Sequence, residues 1–168
     1  MSTADDADVE PAVDIPGSSP AEFVLVRLGG CRYALPMSSV AEVGRPPGLT
    51  RVPGLPDWVA GVANWRGRVL AVLDLRPLLH APAAGLDRRG RLVVLAWRGT
   101  TVGLLTDGVE GTMVIDAEQI EPVLAHLGDG AGGLLTGQVT DADGPFGVVD
   151  LAALFALADI LPRVRRAG

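Results

Sequence analysis

The sequence contains few of the residues that enzymes most often use. Of its 168 residues only Cys31 is a cysteine, and His80 and His126 are the two histidines. One cysteine cannot form an internal disulfide, and neither histidine has a partner at metal-ligand spacing. The sequence also lacks a Walker-type loop, a G-x-G-x-x-G motif and a G-x-S-x-G elbow. We therefore expect no catalytic residues, no bound metal and no cofactor.

Aromatic residues and long apolar runs are also scarce. Aromatics make up 4% of the chain, although 48% of the residues are apolar, so the core must consist mainly of Val, Leu and Ala. Valine favours strands. No apolar run approaches the ~20 residues that span a bilayer, and the N-terminus lacks the pattern of a signal peptide. We expect a cytoplasmic protein that does not insert directly into a membrane.

Charge is unevenly distributed along the chain. Residues 1–20 carry five of the 20 acidic residues and no basic residue, which leaves 15 acidic and 14 basic residues in 21–168. The tail has no apolar period, so we interpret 1–20 as disordered. Residues 162–168 form a short basic tail. Because the folded part has no basic stripe, a nucleic-acid partner is not expected.

Short apolar runs separated by glycine and proline predict a mainly β fold. Asp74 and Asp150 precede short apolar segments and predict N-caps for a helix over Leu75–Leu79 and for a C-terminal helix that ends near Ile160. The predicted strands are Phe23–Leu28, Cys31–Leu35, Val40–Val43, Val59–Trp65, Arg68–Leu73, Leu92–Trp97, Thr101–Thr106, Gly111–Ile115, Leu134–Thr140 and Phe146–Val149.

An internal repeat organises these strands. At an offset of about 69 residues Val26 matches Leu95 and Val40 matches Val109, and at an offset of about 76 the run Val-Leu-Asp-Leu at 72–75 matches Val-Val-Asp-Leu at 148–151. Duplication of a five-stranded unit predicts two small barrels, since closure hides strand edges. We place one lobe at about 22–79, a connector at 80–89 and the second lobe at about 90–160. A single irregular β-sandwich is the alternative.

The most informative turn follows the fourth predicted strand. Gly67 suits a position of positive φ, and Asn64 can accept a hydrogen bond from the backbone of its own turn. Arg66 would then stand at the tip of a hairpin with its guanidinium facing outward. An ordinary turn arginine is the alternative interpretation at this point.

Several of these segments together resemble CheW-like domains. The resemblance covers about residues 22–160, so we place the domain at 21–161. The matching segments are Phe23–Leu28, Cys31–Pro36, Val40–Val43, Val52–Pro56, Gly61–Gly67, Val69–Leu75, Val102–Asp107, Val109–Gly111 and Thr136-Gly137. The resemblance implies two five-stranded, SH3-like barrels. Trp65 departs from the family, which usually carries an aliphatic residue there.

The same resemblance implies an adaptor that couples methyl-accepting chemoreceptors to the histidine kinase CheA. Its partners would be the kinase regulatory domain and the cytoplasmic tip of the receptors, at membrane-associated arrays. The residues that it assigns to the receptor-coupling surface are Arg66, Glu42, Val40, Val109 and Glu110.

The resemblance also implies a kinase contact on the first lobe. The apolar residues in or beside the proline-rich crossing of that lobe need cover, and they are Leu49, Val52, Pro53 and Trp58. Three alternatives stay open: an adaptor of a pathway unrelated to motility, a barrel that binds a small molecule, and an enzyme.

Overall fold

The computed structural model describes residues 20–79, 81, 88–123 and 133–159. Apart from Pro20, the predicted acidic tail lies outside the described residues. So do most of the connector at 80–89 and the whole basic tail at 162–168.

Ten strands, two single-turn 3-10 helices and one α-helix form the described chain. The 3-10 helices are Met37–Ser39 and Ala117–Gln119, and α1 is Leu151–Asp159. The strands are β1 (Ala21–Leu28), β2 (Cys31–Pro36), β3 (Val40–Gly44), β4 (Val59–Trp65), β5 (Arg68–Leu73), β6 (Arg91–Trp97), β7 (Thr100–Thr106), β8 (Gly108–Ile115), β9 (Leu135–Asp141) and β10 (Gly144–Val149).

These strands form two sheets of five. Sheet 1 has the order β8-β1-β2-β10-β9, and sheet 2 has the order β3-β6-β7-β5-β4. Neighbours pair antiparallel except for β2 with β10 and β5 with β7, which are parallel. The prediction of a mainly β fold with two five-stranded lobes and a C-terminal helix is confirmed.

The division of the chain between the sheets differs from the expected consecutive lobes. Sheet 1 combines two strands of the first half with three of the second, and sheet 2 combines three of the first with two of the second. The hairpins β1–β2 and β6–β7 explain this exchange, because their central residues are buried on both faces. A hairpin that is apolar on both faces needs cover on both sides, and strands of the other half provide it.

The strand registers reproduce the internal repeat. Val26 pairs with Tyr33 in sheet 1, and Leu95 pairs with Val102 at the equivalent place in sheet 2. Each sheet also has a bulge where its edge strand meets the neighbouring strand, with Ala41 as the extra residue in β3 and Glu110 in β8. Bulges at equivalent positions show that the duplicated unit keeps its backbone.

Three apolar clusters hold the sheets together. One lies within sheet 1 around Phe146, and one lies within sheet 2 around Leu92. The largest cluster lies between the sheets and draws on both, with Leu35, Leu104 and Leu154 of α1 all fully buried. The two lobes therefore share a core that neither could bury alone.

The two predicted helices have different outcomes. Leu75–Leu79 is a hydrogen-bonded turn and not a helix: the Leu79 N–H donates to the Leu75 carbonyl at 3.0 Å, and the Ala81 N–H then donates to the Arg76 carbonyl, five residues back, at 2.9 Å. The second helix forms as α1, and Asp150 Oδ1 accepts a hydrogen bond from the Ala153 N–H at 3.3 Å. Among the described helices none has the length and apolar character needed to cross a bilayer.

Two buried arginines are tied to carboxylates. Arg32 of β2 binds both oxygens of Asp141 at 2.9 and 2.7 Å, and this lowers the pKa of Asp141 to about 2. Arg76 binds Asp74 in the same two-point manner at 2.9 Å and also contacts Asp107. Since Asp107 accepts the N–H of Gly29 in the β1–β2 turn, the second network joins the two sheets.

Candidate functional site

The turn between β4 and β5 presents Arg66 at its tip. Arg66 has φ 52° and Gly67 has φ 79°, the left-handed pair typical of a tight two-residue hairpin. The Asn64 Oδ1 accepts a hydrogen bond from the Gly67 N–H at 3.0 Å, which holds the turn from within. The Arg66 side chain is 72% exposed.

One carboxylate orients this exposed arginine. Glu42 lies on β3, and its Oε1 is 2.7 Å from the Arg66 Nε. The ion pair is made through Nε, and no hydrogen bond of the terminal nitrogens is found within the described part of the chain. An arginine held by one corner keeps its two-pronged donor edge for another molecule.

Trp65 completes the arrangement, which we call the Arg66 clasp and define as Glu42, Gly44, Trp65 and Arg66. The Trp65 Nε1–H donates to Glu42 Oε2 at 2.6 Å, and the Arg66 guanidinium lies 5.8 Å from the indole ring centre. The sequence marks Trp65 only as a departure from its family. Sequence reasoning missed its role because nothing in the chain order places β3 beside the end of β4.

A small open cavity of about 210 Å³ lies beside the clasp on sheet 2. Its lining includes the buried Leu70 and Val94 and the charged side chains of Glu42, Arg66 and Arg68. Arg68 is exposed. A cavity lined by apolar residues and by two arginines can accept an apolar side chain whose neighbour carries a carboxylate.

The remaining residues of the predicted receptor-coupling surface divide between the sheets. Val40 lies on β3 with Glu42 and packs against the central core. Val109 and Glu110 lie on β8 in sheet 1, where Glu110 pairs with Arg27 of β1. The structure thus brings Glu42 and Arg66 into direct contact and places Val109 and Glu110 at the repeat-equivalent edge of the other sheet.

The predicted kinase-binding residues also separate by burial. Val52 and Pro53 are exposed in the crossing between β3 and β4, and Leu49 is half-buried against the core of sheet 2. Trp58 is 9% exposed and belongs to the central core, and its carbonyl accepts the Asp74 N–H at 2.8 Å. The assignment of Trp58 to a surface is therefore wrong, since an indole in the shared core cannot contact a partner.

Several proteins of known name are similar to this chain in sequence. Protein PilI of Pseudomonas aeruginosa is 37% identical over 105 residues, which cover 60% of this chain and 59% of that protein. Chemotaxis protein CheW of Klebsiella aerogenes is 32% identical over 101 residues, with coverage of 60% and 61%. Protein FrzA of Myxococcus xanthus is 37% identical over 101 residues, with coverage of 60% and 63%. The matched part spans about three fifths of each relative.

A solved structure shares the fold, and a family profile shares the sequence pattern. The crystal structure of the scaffolding protein TtCheW from Thermoanaerobacter tengcongensis is similar with a TM-score of 0.70, over 78% of this chain and 89% of that one, at 24% identity. The profile of the CheW-like domain matches residues 22–159, a range that contains both sheets and the Arg66 turn. This chain therefore belongs to the CheW-like domain family.

Proposed function

We propose that this protein is a non-catalytic adaptor that couples methyl-accepting chemoreceptors to a CheA-type histidine kinase. The observation that carries the proposal is the exposed Arg66, held at one corner by Glu42 with its donor edge open. Membership of the CheW-like family supports a role in a chemosensory system. Relatives named as chemotaxis proteins agree with this, and the names of PilI and FrzA state no pathway. An adaptor of a pathway unrelated to motility is the alternative.

Coupling of this kind needs no chemistry. An adaptor works when its surfaces bind the active and inactive arrangements of its partners with different affinity. The two sheets share one core. A displacement at one binding surface can therefore be transmitted through this core to the other surface. We assign the kinase contact to the exposed crossing around Val52 and Pro53, with Leu49 behind it, and recruitment to receptor arrays follows from the receptor contact.

The chemistry around Arg66 favours an acidic partner with helical structure. The two terminal nitrogens can bind both oxygens of a carboxylate or the free carbonyls at a helix end. The neighbouring cavity, lined in part by Leu70 and Val94, offers apolar surface for the next side chain of that partner. A receptor tip made of paired helices, with acidic and apolar side chains alternating at helical spacing, fits both features.

The test compares two arginines that occupy the same kind of turn. Arg66→Ala should leave the free energy of unfolding within about 1 kcal/mol, because an exposed ion pair contributes little. Receptor-dependent kinase activation should fall by at least tenfold, since truncating a charged partner at a desolvated interface costs roughly 2–5 kcal/mol. Arg66→Lys should restore only part of the activity, because lysine lacks the two-pronged donor edge.

The matched control is Arg98→Ala. Arg98 has φ 47° in the exposed turn between β6 and β7, and its guanidinium lies over Trp97 at 4.3 Å from the ring centre. It should keep full activation. Melting temperature and activation are measured on each variant, and normal activation by a well-folded Arg66→Ala protein would refute the proposal.

A further inference from the structure

The Arg66 clasp joins two strands that do not pair through their backbones. β3 and β4 are the opposite edges of sheet 2, yet Glu42 of β3 contacts both Trp65 at the end of β4 and Arg66 beyond it. The link between these edges at this end is made by side chains. The sheet curls far enough to bring its two edges together, and the clasp holds them there.

Trp65 fits against Gly44 so closely that no other residue can replace this glycine without movement. A Cβ added to Gly44 would lie 2.5 Å from Cη2 of Trp65 and 3.1 Å from its Cζ2. Gly44 does not have a positive φ, so the backbone there tolerates a side chain. The three atoms nearest to such a Cβ all belong to the indole, so the indole sets the requirement for glycine at 44.

The two oxygens of Glu42 have different partners. Oε2 accepts a hydrogen bond from the Trp65 N–H at 2.6 Å, and Oε1 forms the ion pair with the Arg66 Nε at 2.7 Å. A carboxylate bound only by an exposed arginine can rotate and release it, whereas a second donor from a seated indole removes that freedom. Such preorganisation lowers the entropy that a partner must remove when it binds.

The repeat shows that the fold does not require this clasp. The residues of sheet 1 equivalent to Glu42, Gly44 and Trp65 are Gly111, Met113 and Asp141, by offsets of 69, 69 and 76. Asp141 binds the buried Arg32 of its own sheet. The same backbone is therefore completed without an indole at the position of Trp65, a glycine at the position of Gly44 or a carboxylate at the position of Glu42.

We propose that Trp65, seated on Gly44, is a positioning residue that fixes the Glu42 carboxylate and so presents Arg66 to the partner in one orientation. The proposal rests on the proposed function, because it concerns how the coupling arginine is held. It assigns a role to the residue at which this chain departs from the aliphatic pattern of its family.

The first test replaces the indole with a ring that has no N–H. Trp65→Phe keeps an aromatic ring at position 65 but also loses outer carbons of the indole that contact Gly44, so the melting temperature should fall slightly. The dissociation constant for a purified chemoreceptor cytoplasmic fragment with CheA should rise about five- to tenfold. This is the change expected when a partly exposed hydrogen bond to a charged group is lost. Trp97→Phe is the matched control and should bind as the unaltered protein does.

A spectroscopic signature checks the contact without any partner. In a proton–nitrogen correlation spectrum, Glu42→Ala should displace the indole N–H signal of Trp65 and leave the indole signals of Trp58 and Trp97 in place. An unmoved Trp65 signal would show that the hydrogen bond is absent in solution and would overturn the proposal.

The second test uses the glycine seat. Gly44→Ala must move the indole, so it should weaken binding as Trp65→Phe does and should lower the melting temperature. In a Trp65→Leu background the same alanine should cost no further stability, because the atoms it would strike are gone. If Gly44→Ala lowers stability equally in the Trp65 and the Trp65→Leu backgrounds, the close contact between Gly44 and the indole is not the cause and the proposal is wrong.

Arg66→Ala separates this proposal from the one on which it rests. If Arg66→Ala abolishes coupling while Trp65→Phe binds normally, the positioning role is wrong and the proposed function stands. If Arg66→Ala itself couples normally, the proposed function is wrong, and the positioning role falls with it.

Discussion

Two turns of sheet 2 carry the same three residues and end in different surroundings. Trp65-Arg66-Gly67 joins β4 to β5, and Trp97-Arg98-Gly99 joins β6 to β7. Their backbones agree closely, with φ of 52° and 79° in the first and 47° and 80° in the second. In both turns the guanidinium lies over the ring of the preceding tryptophan.

The two tryptophans have different partners. Trp65 turns its N–H to the carboxylate of Glu42, which also binds the exposed Arg66. Trp97 packs against the central core, and its ring lies 5.5 Å from that of Phe155 in α1. The turn at Arg66 therefore contributes to a charged surface, whereas the tryptophan that precedes the turn at Arg98 packs against the C-terminal helix.

The comparison teaches that a short motif and its backbone do not decide a role. Left-handed φ at an arginine is a cost in both turns, so it is not by itself a sign of function. What separates the turns is the element that the fold brings opposite them, an edge strand with an acid in one case and an apolar helix in the other. Each prediction below tests that separation.

The largest effect is expected at the partner of the second turn. Phe155 is 3% exposed in the core between the sheets, and Phe155→Ala should lower the free energy of unfolding by about 3 kcal/mol or more. Glu42→Ala, at the partner of the first turn, should cost less than about 1 kcal/mol. Urea unfolding of both variants measures the difference, and similar losses would show that the two turns serve the same purpose.

The sequence does not predict most of the difference between the surroundings of the two turns. Apolar alternation and the glycine turns predict the strands and their hairpin partners, because a tight turn sets the register of the two strands that it joins. The same pattern does not say which sheet a hairpin enters. The exchange of strands between the halves therefore escaped prediction, and with it the closeness of Gly44 and Trp65.

The burial of Trp58 was missed for a related reason. Its neighbours Pro56 and Asp57 are exposed and irregular, which is typical of a surface crossing. The side chain nevertheless enters the central core, where no periodic pattern marks an isolated residue. By contrast, the ion pair between Glu42 and Arg66 could be expected, since the family resemblance assigns both residues to one surface and they carry opposite charge.

A middle-sized effect should appear equally in both turns. Gly67 and Gly99 have nearly the same φ and open space where a Cβ would be added, so each change to alanine should cost about 1 kcal/mol through backbone strain alone. Gly48→Ala is the control, because that glycine also has open space but no positive φ.

The two alanine variants should differ in coupling although they lose the same stability. Assayed where all variants are folded, Gly67→Ala should impair receptor-dependent activation, and Gly99→Ala should leave it unchanged. If both lose activation to the same degree, backbone strain in sheet 2 would matter more than the position of Arg66, and the comparison between the turns would fail.

The smallest effect is expected from placing an arginine in the equivalent turn of sheet 1. Ala142 corresponds to Arg66 at an offset of 76 and is exposed, so Ala142→Arg should change stability by less than about 0.5 kcal/mol. In an Arg66→Ala background it should restore no activation, because the new arginine would face Gly111 where β3 has Glu42. Melting temperature and activation are measured on the double variant. Restored activation would mean that a cation at this turn of the repeat is sufficient and that the carboxylate and indole around Arg66 add nothing.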